Sequence, residues 1–184
     1  MNKIPWKLWK VSEQEFSSAN SSVNKNKIPA LFSIITDKIG WGKDTRLFDI
    51  GSGKYTNHIR KYFAKRNVKY FPYDPFNLPW AVNEETLKEV YESGKADAVS
   101  LSNVLCTIKE KKLRSKVLEQ ALEILNPGGI VYLNVYEKNK DGKGRATKKD
   151  CWQNNMRLKD YVSEVEKHFR NITIKHSMII GYKQ

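Results

Sequence analysis

Two carboxylates beside a run of glycines carry the most legible chemistry in this sequence. Asp49 lies in the apolar stretch Arg46-Leu47-Phe48-Asp49-Ile50, two positions before Gly51-Ser52-Gly53. Asp74 follows Gly53 by 21 positions and closes a second apolar stretch, residues 68–73. A glycine turn between strand and helix lets backbone N–H groups approach a ligand, and the helix start favours negative charge. Gly53-Lys54 matches the end of a phosphate-binding loop, but Phe48 stands where its first glycine belongs and Tyr55 replaces the magnesium-holding Ser/Thr. A dinucleotide turn needs a third glycine where Thr56 stands, and Asp49 would repel a pyrophosphate. A carboxylate at that point suits a ligand with its own cation and no phosphate. Asp74 is spaced to accept two ribose hydroxyls. The plainer alternative makes both acids helix or turn caps.

Regular elements must hold these residues. Leu31, Phe32, Ile34, Ile35 and Ile39 recur at helical spacing until Gly40. Strands are expected at 46–50, 68–73, 96–101 and 130–136. Helices are expected around Ile59, Tyr62 and Phe63, at 84–92, 109–125 and 158–169, with a bent strand or tight hairpin at 172–182. Pro127-Gly128-Gly129 reads as a turn. The alternation implies an α/β fold with a mostly parallel sheet and helices on both faces, binding ligands beyond the strands' carboxyl ends. Residues 1–30 read as a polar N-terminal arm, too polar for core, and 31–184 as one domain. S-adenosylmethionine fits the site: a nucleoside with an amino group, a sulfonium and no phosphate.

The ordered segments Leu47-Phe48-Asp49-Ile50-Gly51-Ser52-Gly53, Tyr73-Asp74, 96–105 and Leu125-Asn126-Pro127-Gly128-Gly129 resemble the motifs of class I S-adenosylmethionine-dependent methyltransferases, which have a Rossmann-like sheet. The compact interval from Asp74 to Asn103 also resembles the methyltransferases associated with DNA phosphorothioation. The resemblance implies that Asp49, Gly51, Ser52 and Gly53 lie against the methionine part of the cofactor. It implies that Asp74 holds the ribose with Pro75 beside it, and that Ser102, Asn103, Val104 and Leu105 face the reacting methyl. Only 22 residues separate Asp74 from Asp97, too few for a helix, a strand and a second helix, so the usual third strand should be missing. Phe76, Asn77 and Leu78 then border the adenine in place of that strand's acid. Tyr55 replaces the third glycine of the family turn and would narrow the methionine pocket.

The acceptor is less legible, because methyl transfer chiefly needs positioning. Asn103-Val104-Leu105-Cys106 lacks the Pro-Pro motif of amino-methylating nucleic-acid enzymes, and neither Cys106 nor Cys151 follows the proline that cytosine-C5 enzymes need. Asn103 is a candidate to orient the acceptor, or to cap a turn; Glu137 is a candidate base, or a solvated loop acid. Lys138, Lys140, Lys143, Arg145, Lys148 and Lys149 crowd the loop after the fourth expected strand and could clamp a nucleic acid or another acidic substrate, or simply be solvated. Trp152 could stack on a ring or anchor the loop. Lysine and arginine number 33 against 20 acids, a net charge of +13, so this basic protein attracts polyanions or is merely soluble. The arm is expected to fold over the cofactor as a lid. Expectations are thus an S-adenosylmethionine-dependent methyltransferase with a nucleic-acid or other acidic acceptor, a small-molecule methyltransferase, or a cofactor-binding module without transfer. No membrane span, signal peptide or metal cluster is evident, and two distant cysteines suit a reducing, cytoplasmic setting.

Overall fold

The computed structural model describes residues 3–11, 13–19, 25–137 and 141–184. Four strands run parallel: β1 (Arg46–Ile50), β2 (Lys69–Tyr73), β3 (Ala96–Ser102) and β4 (Leu125–Asn134). Further along the chain come β5 (Arg145–Lys148), β6 (Cys151–Gln153), β7 (Arg170–Lys175) and β8 (Met178–Tyr182). The main sheet has the order β2-β1-β3-β4-β8-β7, with β8 antiparallel to β4 and β7 antiparallel to β8. His176 and Ser177, both with φ above 50°, close the tight β7–β8 hairpin.

Alternation along the strands divides the core in two. Phe48, Ile50, Phe71, Val99 and Leu101 face one cluster with Leu87, Val90, Leu118 and Ala121. These last come from α4 (Trp80–Ser93) and α5 (Lys111–Ile124), while α1 is a single turn, Trp6–Trp9. Leu47, Tyr70 and Ala98 face the opposite cluster, made with Leu31, Phe32, Ile59 and Phe63 from α2 (Ala30–Lys38) and α3 (Asn57–Ala64). The period-2 pleat therefore covers both faces of the sheet with helices. Between β2 and β3 only α4 crosses, so β2 is an edge strand, and the further strand expected from the resemblance is missing as the short interval after Asp74 implied. Pro72, which lacks a backbone N–H, is tolerated at such an edge.

Three expectations need correction. The arm contributes to the core at Trp9, which is fully buried. Its ring packs edge-on to Phe48 and Tyr73 at 5.6 and 5.0 Å, and its Nε1 donates to Tyr91 Oη at 3.2 Å. The helix expected at 158–169 is a 3-10 turn, Leu158–Tyr161, followed by one short helical turn, α6 (Val162–Val165). The Pro-Gly-Gly segment lies inside β4 as a bulge: the register passes from Ala96↔Leu125 directly to Ala98↔Ile130.

Candidate active site

β1 delivers the chain to the glycine turn at the carboxyl end of the sheet. Gly51 and Gly53 have φ of 77° and 71°, the left-handed region that favours glycine. A Cβ on Gly51 would fall 2.5 Å from Val104 Cγ2, so the turn and the segment after β3 touch only because the residue is glycine. The N–H groups of Gly51 and Ser52 donate to the Tyr73 carbonyl at 2.8 and 3.3 Å, and Gly53 N–H donates to Asp74 Oδ2 at 2.9 Å. The turn is thus stitched to the end of β2, and the neighbourhood expected from the spacing of Gly53 and Asp74 is met.

Asp74 is 5% exposed. Its Oδ1 accepts from the N–H groups of Phe76 and Asn77 at 3.0 and 2.9 Å, and the Asn77 amide reaches both carboxylate oxygens, at 3.2 and 3.1 Å. Asp74 therefore does cap a turn, and it also lines the cleft. The Asn77 amide is the one side-chain donor among these partners. Rotating it away frees acceptor capacity for a ligand hydroxyl and leaves the backbone bonds intact. Asn83, which sequence reasoning missed, is fully buried and bonds the Asp74 backbone on both sides.

Asp49 lies 2% exposed on the α2–α3 face of the sheet. Ser100, its register partner on β3, donates to Oδ1 at 2.6 Å, and Tyr70 donates to Oδ2 at 2.6 Å. Burial pushes the Asp49 carboxyl up to about 7; the two hydroxyl bonds pull it down, and nearby Asp74 pushes it up. Both oxygens are engaged, so Asp49 braces the strand ends beneath the turn. Serine and tyrosine at 100 and 70 gave no signal until the register placed them beside it.

One cleft of about 640 Å³ joins these parts. Gly51, Ser52, Gly53 and Tyr55 line it from the turn; Asp74, Pro75, Phe76 and Asn77 line it after β2. Ser102 at the end of β3 and Asn103 and Val104 after it line the cleft, as does Tyr136 after β4. Asn103 is exposed and left-handed (φ 58°), and its N–H donates to the Asn134 carbonyl at 3.1 Å. Cys106 Sγ–H donates to the Asn103 carbonyl at 3.4 Å, and burial pushes its thiol up, which suits a packed thiol rather than a nucleophile. Glu137 does not reach the cleft wall; its Oε1 accepts the N–H of Leu158, starting the 3-10 turn.

The expected basic loop is partly a hairpin, β5 paired antiparallel with β6. Arg145 and Lys148 line the cleft; Lys143 and Lys149 do not, and Lys138 and Lys140 lie outside the described residues. Residues 13–19 of the arm close over the hairpin. Ser17 N–H donates to Asp150 Oδ1 at 3.0 Å and its hydroxyl to Oδ2, while Ser18 N–H donates to the Asp150 carbonyl at 2.8 Å. The Phe16 ring meets Trp152 at 5.2 Å, and Lys109 Nζ sits 5.0 Å from the same indole. Trp152 also covers Gly144, where a Cβ would fall 2.3 Å from Cζ2. The indole thus anchors the hairpin to the arm. Among the described residues no cluster of His, Cys, Asp and Glu could hold a metal ion, and no helix is long and apolar enough to cross a membrane.

Comparisons with solved structures agree on the fold. The chain is similar to 1,6-didemethyltoxoflavin-N1-methyltransferase of Burkholderia thailandensis, solved with 1,6-didemethyltoxoflavin and S-adenosylhomocysteine. Identity is 16% over 84% of this chain and 76% of that one, with a TM-score of 0.60. An S-adenosylmethionine-dependent methyltransferase of Methanosarcina mazei matches at 13% identity over 78% of this chain and 94% of that one, TM-score 0.57. The 16S rRNA N2 G1207 methyltransferase of T. thermophilus, solved with AdoMet and guanosine, matches at 11% identity and TM-score 0.54, over 88% of this chain but 45% of that one. No curated protein gives a significant sequence match. A family model described as a methyltransferase domain matches residues 23–177. With most of its length matched, and with the glycine turn and Asp74 meeting at the strand ends, the chain belongs to the methyltransferase domain family.

Proposed function

We propose that the protein transfers a methyl group from S-adenosylmethionine to an acidic acceptor entering over Asn103 and Tyr136. The observation that carries this reading is the meeting of the Gly51–Gly53 turn with Asp74 across one cleft beyond parallel strands. The turn would lie against the methionine part, Asp74 and Asn77 would take the ribose hydroxyls, and Pro75 and Phe76 would border the base. Ser102, Asn103 and Val104 would face the sulfonium side. When bound, the cofactor would supply an electrophilic methyl on a positively charged sulfur, with the neutral thioether of S-adenosylhomocysteine as leaving group. The chain's part is to hold the acceptor in line with that methyl and to exclude water. Asn103 is the group we assign to orienting the acceptor. Glu137 would have to leave Leu158 before serving as a base.

Arg145 and Lys148 on the cleft wall support an anionic acceptor, a nucleic acid or a smaller acid. The short passage from Asp74 to Asn103 supports kinship with the methyltransferases associated with DNA phosphorothioation. Two buried free cysteines are consistent with a reducing, cytoplasmic setting. A second reading, cofactor binding without transfer, draws on the absence of histidine and glutamate from the described cleft wall. Incubation with methyl-tritiated S-adenosylmethionine and fractionated nucleic acids, nucleotides and small acids separates the two. Label appearing in an acidic fraction supports transfer. Retention of the cofactor with no label moved from it supports binding alone.

A further inference from the structure

We infer that the acceptor is one small planar anion, seated beneath the arm–hairpin roof between the Tyr136 ring and the cations of Arg145 and Lys148. The inference rests on the methyl-transfer reading of the same cleft, and it narrows the acceptor class by observations that reading does not use. The first is the roof. Ser17 and Ser18 are bonded to Asp150, the Ser18 hydroxyl donates to the Thr107 carbonyl at 3.2 Å, and Phe16 lies against Trp152. Gln14, Ser17 and Ser18 line the cleft from this side. A nucleic-acid strand threading the cleft would have to break these contacts together; a small molecule fits under them.

Size agrees. A cleft of about 640 Å³ lies within the roughly 300–1,000 Å³ typical of sites for one cofactor or drug-sized ligand. The nucleoside takes part of it, leaving room for a compact acceptor. Shape comes from Tyr136, an aromatic side chain 51% exposed and on the cleft wall. Trp152 is already engaged by Phe16, Gly144 and Lys109, Tyr73 is buried and Tyr55 and Phe76 are half-buried, so Tyr136 is the exposed ring of the cleft wall. Gln153 Nε2 donates to the Tyr136 carbonyl at 3.3 Å, and Gln153 pairs across the hairpin with Arg145. The flat ring and the guanidinium therefore belong to adjoining parts of one wall.

Charge supplies the sign. Neither Arg145 nor Lys148 forms an ion pair with a described residue. The two acids on the cleft wall are engaged elsewhere: Asp49 by Ser100 and Tyr70, Asp74 by its own turn. Asp150 is engaged by Ser17. Two uncompensated cations beside an exposed ring select a flat acid.

The test is calorimetry on the S-adenosylhomocysteine-loaded protein. Four probes are compared: quinoline-2-carboxylate, its primary amide, cyclohexanecarboxylate and dodecathymidylate. The flat acid should bind roughly tenfold or more tighter than the amide, the worth of one charged hydrogen bond. It should exceed the saturated acid by a margin that shrinks in Tyr136→Leu. Arg145→Gln with Lys148→Gln should erase the preference over the amide while S-adenosylhomocysteine affinity stays unchanged, which also shows that the variant is folded. Equal binding of acid and amide overturns the inference and leaves the methyl-transfer reading standing. So does dodecathymidylate binding tighter than the flat acid with a steep salt dependence, which would assign the mouth to a nucleic acid. Failure of the wild-type protein to take S-adenosylhomocysteine overturns both readings.

Discussion

The side chain of Asn83 grips the backbone of Asp74 at two points. Its Oδ1 accepts the Asp74 N–H at 2.9 Å, and its Nδ2 donates to the Asp74 carbonyl at 3.0 Å. The same Nδ2 lies 3.3 Å from the Leu78 carbonyl and 3.4 Å from that of Pro79. From the first turn of α4, one buried amide thus fixes the loop that presents Asp74, Phe76 and Asn77 to the cleft. Asn83→Ala takes the acceptor from the buried Asp74 N–H, at about 1–3 kcal/mol, while the Asp74 carbonyl keeps the Leu78 N–H at 3.0 Å. Chemical denaturation should show a loss of that order, with weaker S-adenosylhomocysteine binding under conditions where the variant stays folded. Asn83→Asp should not rescue it, because its second oxygen would face carbonyls.

Asp49 makes stability depend on pH. Its folded pKa, about 7, stands above the ordinary 3.8. Between those values the unfolded chain holds fewer protons than the folded one, so stability falls as pH rises across that window and levels off above it. At roughly 1.4 kcal/mol per pKa unit, the effect amounts to a few kcal/mol. Urea unfolding at pH 5 and pH 8 should show the decline in the wild type and a flatter profile in Asp49→Asn. Matching profiles would exclude this assignment.

Trp9 supports the site from behind. Tyr73, whose carbonyl holds the glycine turn, donates its hydroxyl to the Trp9 carbonyl at 3.2 Å and packs against the indole. Trp9→Ala empties a buried site and should cost about 3–5 kcal/mol in thermal or urea unfolding. A loss below 1 kcal/mol would mean that α1 is dispensable to the core.

The spacing of Asp49, the glycines and Asp74 made the centre of the sheet legible, since the strands at 46–50 and 96–102 follow apolar runs bounded by turn residues. The single crossover was legible as a length: 22 residues between Asp74 and Asp97 leave room for one helix. Trp9 was hidden because lysines at 7 and 10 give its segment a polar look, while burial depends on a partner more than sixty residues away. The β5–β6 hairpin was hidden because β5 is exposed throughout and carries no alternating apolar pattern. Asn83 and Ser100 are polar residues in apolar surroundings, and only the fold reveals what they bond.

Gly51 is constrained by both backbone and space. In Gly51→Ala the new Cβ meets Val104 in a left-handed conformation, so cofactor affinity and stability should both fall, by about 1–3 kcal/mol in stability. Adding Val104→Ala should restore part of the loss by opening the space, but not the part due to φ. Full restoration would show that the conformation itself carries no cost.

The central claim is that this cleft takes the nucleoside through Asp74. Isothermal titration with S-adenosylhomocysteine tests it most directly, on the wild type, Asp74→Asn and Asp74→Ala, each checked for folding by circular dichroism. The account predicts one site per chain, with affinity reduced roughly tenfold or more in both folded variants. No binding by the folded wild type, or equal affinity in all three proteins, would contradict it.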